Sequence, residues 1–197
     1  MTTHLEIEYK TLLSLDEFDR LSLLFKHIEP LRQTNYYLDN NKHDLRNNRL
    51  SLRIRTFANS AEMTIKIPQK VGNMEYNIDL SCQEAEHMIN SPQIDFTNPK
   101  LATIKDILQE NKISLTGIHS LGSLTTIRRE MQTSIGLMAL DKNEYLDNSD
   151  YELELEVEDD IKGKQDFDDF LKKNKIEYRY AKSKVVRFLK ALENTKK

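Results

Sequence analysis

Charged and apolar side chains alternate through segment after segment of this 197-residue chain, and a two-residue period marks an extended strand whose faces meet different surroundings. In the segment from Tyr151 to Glu158, Glu152, Glu154, Glu156 and Glu158 oppose Tyr151, Leu153, Leu155 and Val157. The first strand sets Glu6, Glu8 and Lys10 against Leu5, Ile7 and Tyr9, and a third sets Ser51, Arg53 and Arg55 against Leu50, Leu52 and Ile54. Glu62, Thr64 and Lys66 oppose Met63, Ile65 and Ile67; Glu75, Asn77 and Asp79 oppose Met74, Tyr76, Ile78 and Leu80; Thr126, Arg128 and Glu130 share another charged face. Eight strands are predicted, near residues 3–11, 34–39, 49–57, 61–68, 73–80, 119–132, 134–142 and 150–158. Taken singly, each fits an antiparallel sheet with water on its charged side. Taken together they weaken that reading, and a helix-covered open sheet with a solvated charged face stays as the alternative. Alternate residues lie about 6.8 Å apart, so neighbouring glutamates repel by roughly 0.6 kcal/mol in water and about 2.4 kcal/mol at an effective dielectric near 20. An enclosed acidic row therefore needs cations beside it, either Arg and Lys from neighbouring strands or a metal. If the eight strands close into a barrel with the charged face inward, the apolar face points out and is sealed by the helices, an α+β, mainly antiparallel β fold.

The helices have recognisable starts. Ser14 with Glu17 and Ser81 with Glu84 form capping boxes, the first ahead of LDEFDRLSLLFK. Asn98-Pro99 places a cap and an N1 proline before KLATIKDILQENK, with an apolar stripe of Leu101, Ile104, Ile107 and Leu108. Two more helices are predicted around DFDDFLKKN and SKVVRFLKALEN. With no linker or internal repeat, residues 1–197 are predicted to form a single domain. A net charge of −3 argues against a nucleic-acid binder. No apolar run reaches the roughly 18 residues of a membrane span. Cys82 stands alone and MTTHLEIEY does not resemble a secretion signal, so a reduced, cytoplasmic compartment is expected.

Hard divalent cations such as Mg2+ take carboxylate oxygens, and Glu6, Glu8 and the glutamates at 152, 154 and 156 supply them. Arg53, Arg55, Lys66 and Arg128 suit a polyanion. Tyr36 and Tyr37 straddle the two faces of their strand, so one packs and the other can reach the charged side. Zinc chemistry finds no support, because His4, His27, His43, His87 and His119 are scattered and there is one cysteine. Paired carboxylates also serve glycosidases, but facing bases suit phosphate better than sugar. Phosphoryl transfer relies on positioning and charge neutralisation, consistent with the lack of a nucleophile motif.

Glu6-x-Glu8-x-Lys10, followed in order by Tyr36-Tyr37-Leu38-Asp39, Leu52-Arg53-Ile54-Arg55, Thr64-Ile65-Lys66, Arg128, Leu140-Asp141, the Glu152 to Glu156 row and Ser183-Lys184, resembles the CYTH superfamily of triphosphate tunnel metalloenzymes. The likeness spans residues 4–188. It implies an eight-stranded tunnel with Mg2+ or Mn2+ as cofactor and a small-molecule triphosphate as ligand, hydrolysed at its terminal phosphoanhydride, inorganic triphosphate leading. Glu6 and Glu8 would be metal ligands, completed by Asp141 and by either Glu152 with Glu154 or Glu154 with Glu156. Lys10, Arg53, Arg55, Lys66, Arg128 and Lys184 would line the phosphate path, with Lys182 competing for the last place and Glu75 as a further candidate acid. Lys10 would either contact phosphate or, with a lowered pKa, act on the attacking water. An adenylate cyclase of the same fold and a non-catalytic polyphosphate or nucleotide sensor are the alternatives. No nucleic-acid or membrane partner is expected, and a homodimer is left open.

Overall fold

The computed structural model describes residues 1–195. Eight strands form, β1 (Thr2–Leu13), β2 (Leu31–Asp39), β3 (Ser51–Thr56), β4 (Ala61–Pro68), β5 (Asn73–Leu80), β6 (His119–Thr133), β7 (Gly136–Tyr145) and β8 (Asn148–Val157). They hydrogen-bond in the order β1-β5-β4-β3-β2-β6-β7-β8 and close into a barrel, which leaves no sheet edge free for pairing with another chain. Every predicted strand is present. The largest differences are longer ends: β2 begins at Leu31, and β7 runs on to Tyr145.

Contacts gather into two compact units, one of residues 1–5 and 34–123, the other of residues 6–33 and 124–197. In the first, β3 pairs with β2 and β4, and β4 with β5, each antiparallel. Their apolar faces contribute Leu52, Ile54, Met63, Ile65, Ile78 and Leu80 to a core shared with α3 (Cys82–Asn90) and α4 (Ala102–Glu110). The stripe expected on α4 is in that core: Leu101 and Leu108 are fully buried with Ile104, and Ile107 nearly so. A 3-10 turn, Pro99–Leu101, precedes α4, started by the Asn98 side chain accepting from the Lys100 amide at 3.0 Å. The sequence reading did not include α2 (Asp44–Asn47), a single turn whose amides at Leu45 and Arg46 donate to the buried Asp39 carboxylate at 3.0 and 3.1 Å.

In the second unit, β7 pairs with β6 and β8, and β8 with β1. Leu13, Met138, Leu140, Leu153, Leu155 and Val157 pack with Leu21 of α1 (Leu15–Ser22), with Phe25, and with Phe167 and Leu171 of α5 (Asp160–Lys173). Each such fully buried apolar side chain contributes about 1.5–3 kcal/mol. Both predicted capping boxes are present, with both reciprocal hydrogen bonds. The first helix is shorter than LDEFDRLSLLFK implied. After Ser22 the chain tightens into three-residue turns, Leu24 to Leu21 and Ile28 to Phe25, which bury Leu21 and Phe25 and leave Leu23 and Leu24 exposed. Among the described residues no helix is long and apolar enough to cross a membrane.

Candidate active site

Register brings the charged side chains of the second unit together. Across β6, β7, β8 and β1, Arg128 stands opposite Asp141, Asp141 opposite Glu152, Glu154 opposite Lys10, and Glu8 opposite Glu156. Two of these pairs set like charges side by side, which destabilises a sheet unless cations intervene. Asp141 and Glu152 are completely buried, and Glu154 is 9% exposed. Among the described residues these are the carboxylates that converge, one oxygen of each lying within 4.8 Å of the others.

Among the described residues three cations hold them. Arg128 grips Asp141 with a fork, Nε to Oδ1 at 2.8 Å and Nη2 to Oδ2 at 2.6 Å, and also meets Glu154. Arg187 grips Glu152 in the same way, at 3.2 and 2.6 Å, and reaches Asp150 at 3.0 Å through Nε. The Lys184 ammonium lies 2.8 Å from Asp141, 3.0 Å from Glu152 and 2.6 Å from Glu154. Lys184 and Arg187 belong to α6 (Lys184–Thr195), and their spacing of three puts both on one helix face. Burial alone would push the Glu154 carboxyl up, but Lys184, Arg128 and Lys10 outweigh it and hold it well below the usual carboxylate range. Burial would likewise pull Lys184 down, and Asp141, Glu152 and Glu154 reverse that, raising it well above an ordinary lysine.

Lys10 pairs with Glu8. Desolvation acts to lower its pKa, yet Glu8, Glu154 and Glu152 prevail and raise it, so the lowered pKa that a deprotonating Lys10 needs is not present. Glu6, Glu8 and Glu156 are half-buried and stand outside the convergent group. Of the two candidate pairs in β8, Glu152 with Glu154 is the one that converges with Asp141. Lys182 is exposed and its carbonyl, not its ammonium, takes part, accepting from Arg187. Arg187 was not among the residues singled out from the sequence. Its signal was there: the second base on the apolar-striped helix that follows Ser183.

The first unit carries the other bases. Arg55 donates to Asn35 at 3.0 Å and to Glu62 at 3.2 Å, and Lys66 pairs with Glu75 directly across the β4–β5 ladder. Burial raises the Glu75 carboxyl while Lys66, Arg53 and Arg55 lower it more, to about 2. Arg53 has a buried Nε with no hydrogen-bonded acceptor, as do Arg129 and Arg187 in the other unit, and an anion would relieve it. Of the two tyrosines, Tyr36 packs on the core, and the buried Tyr37 stands opposite Arg53 on the charged face.

A divalent cation fits the Asp141, Glu152 and Glu154 oxygens by chemistry and by convergence. The comparisons with known proteins agree with the geometry. "Putative triphosphatase YjbK" of Bacillus subtilis (strain 168) is 33% identical over 190 residues, which cover 95% of this chain and 96% of that protein. A Bacillus halodurans structure described as a "putative adenylate cyclase" superposes with a TM-score of 0.85 at 31% identity, covering 95% and 99% of the two chains. The Hippeastrum protein HpAC1, described as a "putative adenylyl cyclase" with a dominant triphosphatase activity, gives 0.78 at 25% identity, covering 94% and 96%. The CYTH domain matches residues 4–189, and the chain belongs to the CYTH family.

Proposed function

We propose that the protein is a divalent-metal-dependent triphosphatase that cleaves the terminal phosphoanhydride of a triphosphate, with inorganic triphosphate as the leading substrate. The observation that carries this is the buried, convergent set of Asp141, Glu152 and Glu154 in a chain of this family. These carboxylates would hold Mg2+ or Mn2+, with Glu6 and Glu8 as further ligands on the family's pattern. A bound divalent ion would supply charge neutralisation on the phosphoryl group being transferred. Arg128 and Arg187 orient the acids through their forks, so the ligand geometry is set before a metal arrives. Arg53, Arg55 and Lys66 would take phosphate oxygens, Arg53 with a donor already unpaired. Lys10, held protonated beside Glu8, would act as a phosphate contact rather than as a base.

Orthophosphate release from tripolyphosphate, thiamine triphosphate and ATP, each with Mg2+ or Mn2+, tests the reading. Glu154→Gln and Arg53→Ala should each lose at least roughly tenfold of the rate, about 1.4 kcal/mol of barrier. Wild-type rates in both variants would refute it. The Bacillus halodurans neighbour's description favours a second reading, adenylate cyclase. Cyclic AMP formed from ATP faster than orthophosphate is released from tripolyphosphate would select it.

A further inference from the structure

Resting on that reading of the acidic cluster as the metal site, we propose that Lys184 is a resident cation which the metal must displace, and that its release couples metal binding to triphosphate binding. The ammonium lies within 2.6 to 3.0 Å of all three carboxylates. That is the position from which a cation reaches Asp141, Glu152 and Glu154 together, and a metal drawing the same oxygens to about 2.0–2.1 Å leaves no room for it.

Among the described residues three cations contact the cluster, and Lys184 is the one able to leave. Arg128 and Arg187 are planar forks, each fixed by two hydrogen bonds to one carboxylate. Lys184 is a point charge on a flexible four-carbon stem at the first residue of α6, preceded by the exposed Lys182 and Ser183. Electrostatics points the same way. Arg128 and Arg187 share their charge with Glu130 and Asp150 as well as with the three carboxylates, whereas the Lys184 ammonium lies among the three carboxylates themselves, so a divalent ion placed there repels it most directly. Expelling Lys184 removes that repulsion and frees an ammonium whose best new partner is an anionic phosphate oxygen. Metal alone therefore binds wild-type protein weakly, and a triphosphate that receives Lys184 strengthens it; reciprocally, the metal strengthens triphosphate binding.

Calorimetric titration of Mn2+ alone into wild type and Lys184→Gln, in the absence of any phosphate, tests this. The variant is expected to bind Mn2+ about tenfold more tightly, and a non-hydrolysable imido analogue of triphosphate should tighten Mn2+ binding to wild type several-fold more than to the variant. A second measurement needs no variant. Acetylation of Lys184 in the wild-type protein, followed by mass spectrometry, should be slow without metal and accelerate at least severalfold when Mn2+ alone is added. Mn2+ that binds wild type as tightly as Lys184→Gln, or a Lys184 labelling rate indifferent to Mn2+, overturns the displacement while leaving the metal reading intact. Failure of Mn2+ to bind either protein, with or without the imido analogue, removes both.

Discussion

Arg187 holds both oxygens of a glutamate that has no solvent exposure, and its own side chain is 9% exposed. Removing one partner of such a pair leaves the other charge buried with less compensation. Arg187→Met is therefore expected to destabilise the fold by about 3–5 kcal/mol in urea unfolding, whereas Lys182→Met, on an exposed neighbour, should stay within about 0.5 kcal/mol. The contrast between these residues also shows what one-dimensional reading lacks. Lys182 and Lys184 have the same chemistry and lie on either side of Ser183; only the start of α6 at Lys184, and the face it turns to β8, separates them. The choice among Glu152, Glu154 and Glu156 was likewise open on a strand whose alternation treats them alike. Proximity to Asp141, which the register sets opposite Glu152, separates Glu152 and Glu154 from Glu156.

Helix α1 is tied down by Glu17, whose carboxylate accepts from the Ser14 amide at 2.8 Å and the Glu177 amide at 3.1 Å and pairs with Arg179. Burial works to raise its pKa, but those amides and Arg179 lower it to about 2. A depressed acid contributes stability that is complete above its unfolded value near 4.5 and is lost as pH falls toward 2. Glu17→Gln should thus cost about 1–3 kcal/mol at pH 7, with the difference from wild type shrinking between pH 4.5 and 2 in unfolding titrations. A constant difference across that window would contradict the assignment. At the start of β7, Gly136 has φ +140, and a Cβ there would stand 2.2 Å from the Glu156 carbonyl oxygen. Gly136→Ala should cost about 2 kcal/mol or more, lowering Tm by several degrees. The capping boxes at Ser14 and Ser81 were legible because both partners lie within four residues. The early end of α1 was not, because it depends on burying Phe25 against strands far along the chain.

Across the whole molecule, alternation was enough to give eight strands and the sides they turn to the helices, since each apolar face needs a cover and the helices carry matching stripes. The pairing of the charges was less legible. It is fixed by register between strands distant in sequence, as when Lys10 meets Glu154 and Arg128 meets Asp141. In one unit Lys184 pairs with three acids while the Nε atoms of Arg129 and Arg187 lack hydrogen-bonded acceptors, and in the other the Nε of Arg53 lacks one too. One determination tests where the metal sits: a crystal structure of the protein with Mn2+ and the imido analogue of triphosphate, its anomalous signal recorded at the manganese edge. The expected result is an anomalous peak bonded to oxygens of Asp141, Glu152 and Glu154, with a phosphate oxygen on Lys184. Manganese bound elsewhere, with Lys184 still among the three carboxylates, would contradict it.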